Sequence, residues 1–173
     1  MPADFRISVL RRLDEQQLRE LSEVTIDCVE GGASIGFMWP MTQAKADAYW
    51  RGASASAERG ERAIVVAADA QGVIVGTVSV IVGQPENQPH RADVAKMQVH
   101  RRARRCGVGE MLLDAAERVA AEAGKTLLVL DTASADAERL YERAHWQRCG
   151  VIPNYALMPD GAYCDTVVYF KAL

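Results

Sequence analysis

Cysteine is sparse and unpatterned in this chain. Cys28, Cys106, Cys149 and Cys164 are scattered, with no C-x-x-C pair and no Cys/His spacing of the kind that holds zinc, so they read as reduced thiols and no metal is expected. Aromatic residues make up 6% of the sequence and form no row among the basic ones, which removes the stacking platform of a single-strand nucleic-acid binder. Excess positive charge is missing too. Lys and Arg number 20 against 23 Asp and Glu, a formal net charge of −3, so a basic cluster here is a local feature rather than a nucleic-acid footprint. The apolar runs are strand-sized, too short to span a membrane, and the first residues show neither a cationic leader nor an apolar core of an export signal. The expectation is a cytoplasmic protein with neither membrane nor nucleic acid among its partners, as a monomer or a homodimer. Long linkers and low-complexity tracts are absent as well. With 173 residues, 49% of them hydrophobic, residues 1–173 read as one domain with one substantial core.

What the chain does have is a concentrated cationic loop. Val99-His100-Arg101-Arg102-Ala103-Arg104-Arg105-Cys106-Gly107-Val108-Gly109 leaves an apolar strand, gathers arginines, tightens through two glycines and opens into a helix. The helix follows from spacing: Val108, Met111, Leu112, Ala115, Ala116, Val119, Ala120 and Ala123 recur every three or four residues, while Glu110, Asp114, Glu117, Arg118 and Glu122 take the other side. Its first turn aims unpaired backbone N–H groups and the positive end of the helix dipole back at the loop, where a phosphate is favoured. Glycine at 107 and 109 lets the main chain approach, and the arginines add bidentate charge. Two phosphate loops are excluded. A Walker A loop needs Lys and then Ser or Thr after its last glycine, but Glu110 and Met111 follow Gly109. A dinucleotide fingerprint needs a small residue where Leu112 stands and a preceding βαβ unit that is not there. A cationic strand-to-helix turn with no ligand is the competing reading.

The rest of the chain alternates in period. Phe5, Ile7 and Val9 form a first strand, and Asp14 with Gln17 makes a capping box for a helix to about Val29. After Gly31-Gly32 and a loop, Thr42 caps a second helix carrying Ala46, Tyr49, Trp50, Ala53 and Ala57. Ala63 to Ala68 and Val73 to Val82 read as strands joined by a tight turn at Asp69-Ala70-Gln71-Gly72, with another strand from about Arg91 to Val99. Beyond the loop and its helix come a buried strand from Thr126 to Asp131, a helix from about Ala135 to Ala144, and strands near Trp146 to Val151 and Cys164 to Phe170. The order β-α-α-β-β-β-α-β-α-β-β is a mixed α/β fold.

Arg104-Arg105-Cys106-Gly107-Val108-Gly109 matches the R/Q-x-x-G-x-G/A signature of the GNAT superfamily of N-acetyltransferases, and the element order is also that family's. The chain therefore resembles the family over nearly its whole length. The Gly31 to Met38 block, Arg91-Ala92-Asp93-Val94, Leu130-Asp131-Thr132, Pro159-Asp160-Gly161 and the ending Tyr169-Phe170-Lys171 are similar to its tabtoxin-resistance branch, which acetylates the amine of the antimetabolite tabtoxinine-β-lactam. The resemblance implies a GNAT-like mixed central sheet and acetyl-CoA as co-substrate, its pyrophosphate cradled by Arg104, Arg105, Cys106, Gly107, Val108 and Gly109. It implies direct acetyl transfer, in a ternary complex, to a primary amine of an amino-acid-like or antibiotic-like small molecule. A peptide or protein amine, and a catalytically silent acetyl-CoA-binding domain, are the alternatives.

Such a transfer needs a base, oriented N–H donors and an acid. Asp131 ends the apolar run Leu127-Leu128-Val129-Leu130, where partial desolvation would suit it to take a proton through water; capping the next helix is its other reading. Asp93 is the second carboxylate, either holding the substrate ammonium and sharing proton removal or simply solvated at a strand end. Strand parity puts it on the face of Ala95, Met97 and Val99 unless a bulge intervenes. Tyr141 matches the tyrosine that the family sets near the CoA sulfur, able to protonate or hydrogen-bond the departing thiolate; a packed core tyrosine is the alternative. Where the family commonly has Gly, His145 precedes Trp146, and it reads as a helix-ending residue. The resemblance further implies backbone donors on Met97-Gln98-Val99 for the pantetheine and thioester, with Ser134 beside them in the coenzyme site. Cys106 stands where the family usually has a small or basic residue and is given no catalytic role. The acceptor pocket is expected between the Gly31 to Met38 loop and a connection from Pro153 to Gly161, with Ser34, Phe37 and Tyr155 as substrate contacts; loop packing is the alternative.

Overall fold

The computed structural model describes residues 4–173. Its elements run β1 (Arg6–Leu10), α1 (Glu15–Glu30), α2 (Gln43–Glu58), β2 (Arg62–Ala68), β3 (Ile74–Ile81) and β4 (Arg91–Val99). A 3₁₀ turn (Arg101–Ala103) leads to α3 (Val108–Glu122), β5 (Leu127–Thr132), α4 (Ala135–Arg143), β6 (Gln147–Leu157) and β7 (Tyr163–Ala172). This is the mixed α/β order expected from the sequence. Caps set the helix starts: Asp14 and Gln17 close a reciprocal capping box on α1, and the Thr42 hydroxyl accepts from Lys45 N at 3.2 Å to open α2. Among the described residues no helix is long and apolar enough to cross a membrane.

The strands form one sheet in the order β1-β2-β3-β4-β5-β7-β6. Among the described residues only β4 and β5 run parallel. Strand β2 shows why the apolar run there is continuous. Ile64 and Val66 pack toward Leu21, Val24 and Trp50 of α1 and α2, while Val65 and Ala67 pack toward Leu112 and Ala116 of α3. Helices thus cover both faces.

The sheet is split in the middle. Strands β4 and β5 pair only from Arg91↔Leu127 to Asp93↔Val129, and beyond that point they part. Just past that point β4 is itself irregular. Its register against β3 shifts, so that Ala95 faces Ser79 but Gln98 faces Thr77, leaving Lys96 and Met97 opposite Val78 as a bulge. Lys96 takes φ 56, a left-handed conformation that a side chain adopts at a cost of about 1–3 kcal/mol. The extra residue reverses parity. Ala92 and Val94 face the α3 layer before it, Met97 and Val99 face that layer after it, and Gln98 turns toward α1. Asp93 therefore does not share a face with Met97 and Val99. It shares one with Asp131, two residues beyond its ladder partner Val129.

The last hairpin departs from expectation. The stretch 153–157 is not a connection but the continuation of β6, which runs to Leu157 and turns only at residues 158–162. Pro153 is tolerated because β6 is an edge strand, and the register slips between Ile152↔Thr166 and Ala156↔Cys164, with Asn154 at φ 52.

Helix α3 approaches the sheet closely at Gly76 of β3. A Cβ there would sit 3.0 Å from Val108 Cγ1, 3.1 Å from Leu112 Cδ1 and 3.1 Å from the Gln98 carbonyl oxygen. The Gly76→Ala variant is expected to lose about 1–3 kcal/mol, because neither the branched Val108 nor the backbone oxygen has room to move. Chemical denaturation reads this; a variant as stable as the parent would contradict the packing described.

Candidate active site

The cationic loop is held from behind by Asp27, a buried residue of α1. Its carboxylate accepts from the Arg101 backbone N–H at 2.9 Å and from the Arg101 guanidinium, with His100 Nε2 at 3.7 Å and Arg104 Nη2 at 4.0 Å. Arg102 reaches Asp69 in the β2–β3 turn at 3.0 Å. Arg101 and Arg102 are thus committed to anchoring. Arg104 is half-committed, donating Nε to the Val99 carbonyl at 3.0 Å. Arg105, at φ 58, has no ion-pair partner among the described residues.

Gly107 adopts φ 82 and gives α3 no side-chain cap. Met111 N is the first in the helix to find an acceptor, Gly107 O at 3.1 Å, which leaves the N–H groups of Val108, Gly109 and Glu110 free. Gly109 serves a neighbour: a Cβ there would stand 3.3 Å from Leu140 Cδ2, so its absence lets α4 dock against the start of α3. Helix α4 is held further by Tyr169, whose phenol lies 3.0 Å from both the Glu138 and Glu142 carboxylates.

These features border one cleft of about 1140 Å³ that enters the split between β4 and β5. The structure brings to it Met97, Gln98, Val99, Arg104, Arg105, Gly107, Val108, Gly109, Asp131, Ser134, Tyr141, Ser34 and Tyr155. Past Asp93, β4 has no strand partner on its β5 side, which leaves that backbone edge open to a ligand. Ser134 lines the cleft but spends its hydroxyl as the α4 cap, accepting from Ala137 N at 3.3 Å. Ser34 Oγ donates to the Leu157 carbonyl at 3.2 Å and lies 3.5 Å from Cys164 Sγ, tying the α1–α2 loop to the end of the β6–β7 hairpin.

Three expected residues lie outside the cleft wall. Cys106 is exposed, its thiol donating to the Arg104 carbonyl at 3.3 Å. Phe37 stands behind the wall, edge-on to Tyr49 with centroids 5.4 Å apart. Asp93 lies in an adjoining cavity of about 360 Å³ that it shares with Asp131 and Tyr155. Both Asp93 oxygens are engaged, one by the Arg91 guanidinium and the other by Gln84 Nε2 at 3.0 Å. His145, exposed at the end of α4, takes φ 63, the conformation for which glycine is the usual choice.

Asp131 and Tyr141 sit in contrasting surroundings. Asp131 is exposed, not desolvated as its strand suggested, because it stands where β5 opens into the cleft; its Oδ2 accepts from Thr166 Oγ1 at 2.6 Å. Tyr141 is 4% exposed and packs between Trp146 and Tyr169 at centroid distances of 5.9 and 5.8 Å. Burial, and then the Asp131 charge, push its phenol up to about 12. Tyr141 is thus packed in the core and also borders the cleft.

Sequence reasoning passed over Lys96, Asp27 and Thr166. Lys96 lines the cleft with its Nζ 5.8 Å from the ring centroids of Phe37 and Tyr49. Burial holds its ammonium below the ordinary lysine range; the Asp131 charge opposes that shift and the Arg62 charge adds to it. Its only sequence signal was a lysine inside an apolar strand. Asp27 and Thr166 carried none, since their roles arise from pairings across 74 and 35 positions.

With this geometry in view, comparison with known proteins is specific. The sequence model of the Acetyltransferase (GNAT) family matches residues 18–146. A phosphinothricin acetyltransferase of the GNAT superfamily from Sinorhizobium meliloti, solved with AcCoA, superposes with a TM-score of 0.79 at 18% identity, covering 100% of this chain and 89% of its own. A ribosomal-protein-alanine N-acetyltransferase from Brucella melitensis gives 0.78 at 21% identity, with 96% and 99% covered. An N-acetyltransferase from Staphylococcus aureus Mu50 gives 0.78 at 16% identity, with 96% and 98% covered.

The Tyr141 phenol fixes a pH dependence. An unfolded tyrosine ionises near about 10 and the folded one near about 12, so the unfolded state loses its proton first as pH rises. The stability this proton provides is complete below about pH 10 and is lost on passing through about pH 12, roughly 2–3 kcal/mol in all. Denaturation of the parent and Tyr141→Phe between pH 9 and 12 is expected to show the parent falling more steeply; parallel curves would contradict the burial described.

Proposed function

This chain belongs to the GNAT acetyltransferase family, and we propose that it transfers an acetyl group from acetyl-CoA directly to the primary amine of a small, amino-acid-like or antibiotic-like molecule. The observation that carries the reading is the continuous cleft from the free N–H groups at the start of α3, through the parted strands, to Asp131 and Tyr141. Its residues fit acetyl-CoA. Three unpaired main-chain donors at 108–110, a helix dipole and the unpaired Arg105 suit a diphosphate, and the open edge of β4 suits the amide-rich pantetheine arm.

Acetyl-CoA supplies the activated thioester, and this chain's residues supply position and protons. Backbone donors on the open edge of Met97–Val99 face the negative charge that builds on the carbonyl oxygen in the transition state. Asp131, fixed by the Thr166 hydroxyl, takes the acceptor's proton through water, for which its exposed position leaves room. Asp93 has both oxygens spent on Arg91 and Gln84 and its charge balanced by the Arg91 guanidinium, so it is given no direct part in proton removal or in holding the amine. Tyr141 keeps its proton. A phenol pushed up to about 12 is a weaker acid than a thiol near about 8.5, so it hydrogen-bonds the departing sulfur rather than surrendering its proton. The roof formed by the α1–α2 loop and the β6–β7 hairpin favours a small acceptor over a protein chain. The comparisons reach the GNAT family and not its tabtoxin-resistance branch, so an antibiotic-like acceptor, an antibiotic-resistance role and a cytoplasmic setting are our reading of the sequence blocks at 31–38, 91–94, 130–132 and 159–161 alone.

Acetyl-CoA-dependent thiol release over amino acids, β-lactam amino-acid analogues, polyamines, aminoglycosides and peptide N-termini tests this reading. Turnover is expected with the small acceptors. Asp131→Asn is expected to lower kcat by ~10²-fold or more and Tyr141→Phe by ~10-fold, with CoA affinity within about twofold of the parent. Turnover on peptides alone would reassign the acceptor, and unchanged kcat in both variants would remove these roles.

A further inference from the structure

The smaller cavity beside the cleft, of about 360 Å³, has walls built mostly of hydrocarbon. Its origin lies in how the helices divide the sheet. On the face that carries Asp93 and Asp131, α1 and α2 pack over β2, β3 and β4. Strand pairing continues that face through Val129 of β5, Val168 of β7 and Ile152 of β6, which are the residues in register with Asp93, Asp131 and Thr166. None of these three belongs to a hydrophobic core cluster. Val129 and Val168 are part-buried, and Ile152 is 45% exposed. Ile81 of β3, opposite Asp93 in the ladder, closes the cavity from the other side. Apolar side chains gathered on a concave wall, rather than scattered singly over a surface, mark a place where a ligand excludes water.

The polar side chains of this wall are largely spent on one another. Asp93 is held by the Arg91 guanidinium and by Gln84 Nε2 at 3.0 Å, and the same guanidinium donates to Gln84 at 2.7 Å and to Gln88 at 2.9 Å. The two charges cancel, and their hydrogen bonds are directed at each other rather than at the cavity. Thr166 gives its hydroxyl proton to Asp131 Oδ2 at 2.6 Å. Among the described residues, the side-chain groups of the wall left without a partner are Asp131 Oδ1 and the hydroxyl of Tyr155, a residue 56% exposed. Asp131, Tyr155 and Thr166 border the large cleft as well, so the two spaces meet where β5 ends. A cation is therefore matched at the mouth, by Asp131, and only hydrocarbon is matched further in.

We propose that this cavity is an apolar subsite for the acceptor, and that the preferred amine carries an uncharged hydrocarbon group which lies against Ile81, Val129, Ile152 and Val168 while its nitrogen stays at the mouth beside Asp131. The inference rests on the acetyl-transfer reading above and narrows its substrate class. Burial of the hydrocarbon group supplies the affinity, and Tyr155 folds over it from the β6–β7 hairpin. The size of the cavity suits a small-molecule substituent rather than a segment of a second chain. A polyamine or an aminoglycoside would carry further positive charge into a wall whose carboxylate Asp93 is already neutralised, so these are excluded as preferred acceptors. Ile81, Val129, Ile152 and Val168 are specificity-determining residues on this account and take no part in the chemistry.

The test uses ethylamine, butylamine and hexylamine, which differ in hydrocarbon length and hardly at all in charge or basicity. In the parent enzyme kcat/KM for thiol release is expected to rise about two- to fourfold per added methylene, chiefly through KM. Val168→Phe projects a ring into the cavity and is expected to flatten that rise while leaving ethylamine within about threefold of the parent. Ile152→Asp places a charge on an exposed edge-strand position outside the core, and it decides the matter if the first variant does not fold: hexylamine is expected to lose about tenfold or more and ethylamine little. A flat series in the parent, the result expected if a second copy of the chain covers this face, or a rise that survives in the folded variants, would overturn the proposal. Calorimetry of the same amines onto the CoA-loaded protein separates it from the reading it rests on. Affinity that grows with chain length in the parent and not in the variants supports the subsite even if no amine is acetylated, which would then overturn acetyl transfer alone. Turnover with no dependence on length overturns the subsite alone, and absence of both binding and turnover overturns both.

Discussion

One extra residue in β4 governs what this molecule can do. The bulge at Lys96 and Met97 is the point at which β4 stops following a regular ladder, and the parallel partnership with β5 has already ended at Asp93. A sheet that stayed closed would satisfy its own backbone groups and leave no room between the strands. Here the open edge of β4 faces a cleft, Gln98 is turned to the α1 side, and Asp93 is put on the face of Asp131. The left-handed backbone of Lys96 is strain held in place by two flanking ladders and two covering helix layers.

Charge is divided with similar economy. The arginines of the 101–105 segment look like one cationic patch, but Asp27 and Asp69 draw two of them backward into the protein and leave Arg105, with part of Arg104, facing the cleft. The anchored pair sets the loop's path, and Gly107 then turns the chain so that bare N–H groups at 108–110 point the same way. Because Asp27 belongs to α1, the position of the cationic loop is coupled to the helix whose Thr25 orients Gln98.

Periodicity and caps carried most of the fold. Asp14, Thr42 and the three-and-four spacing from Val108 to Ala123 announced their helices because those signals are local. The glycine-bracketed loop was equally local, and with it the family. Nonlocal facts were out of reach. Nothing near Asp27 in sequence says that it will meet Arg101, and nothing near Asp131 says that Thr166 will bond it. The β6 strand was cut short because Pro153 and Asn154 look like a turn, and only its place at the sheet edge makes them tolerable. Parity showed that Asp93 needed a bulge to join Asp131; what it did not show is that Arg91 and Gln84 would occupy the carboxylate. Lys96 was missed for the plainest reason, that a lysine in a strand is ordinarily solvated.

The central claim is that main-chain nitrogens at the start of α3 and along the parted edge of β4 hold acetyl-CoA. Amide chemical-shift mapping of the isotope-labelled protein during a CoA titration addresses each nitrogen separately. The account predicts the largest shifts at Val108, Gly109 and Glu110 and along Met97, Gln98 and Val99, saturating together. Shifts confined to other surfaces, or a spectrum unmoved by saturating CoA, would contradict it.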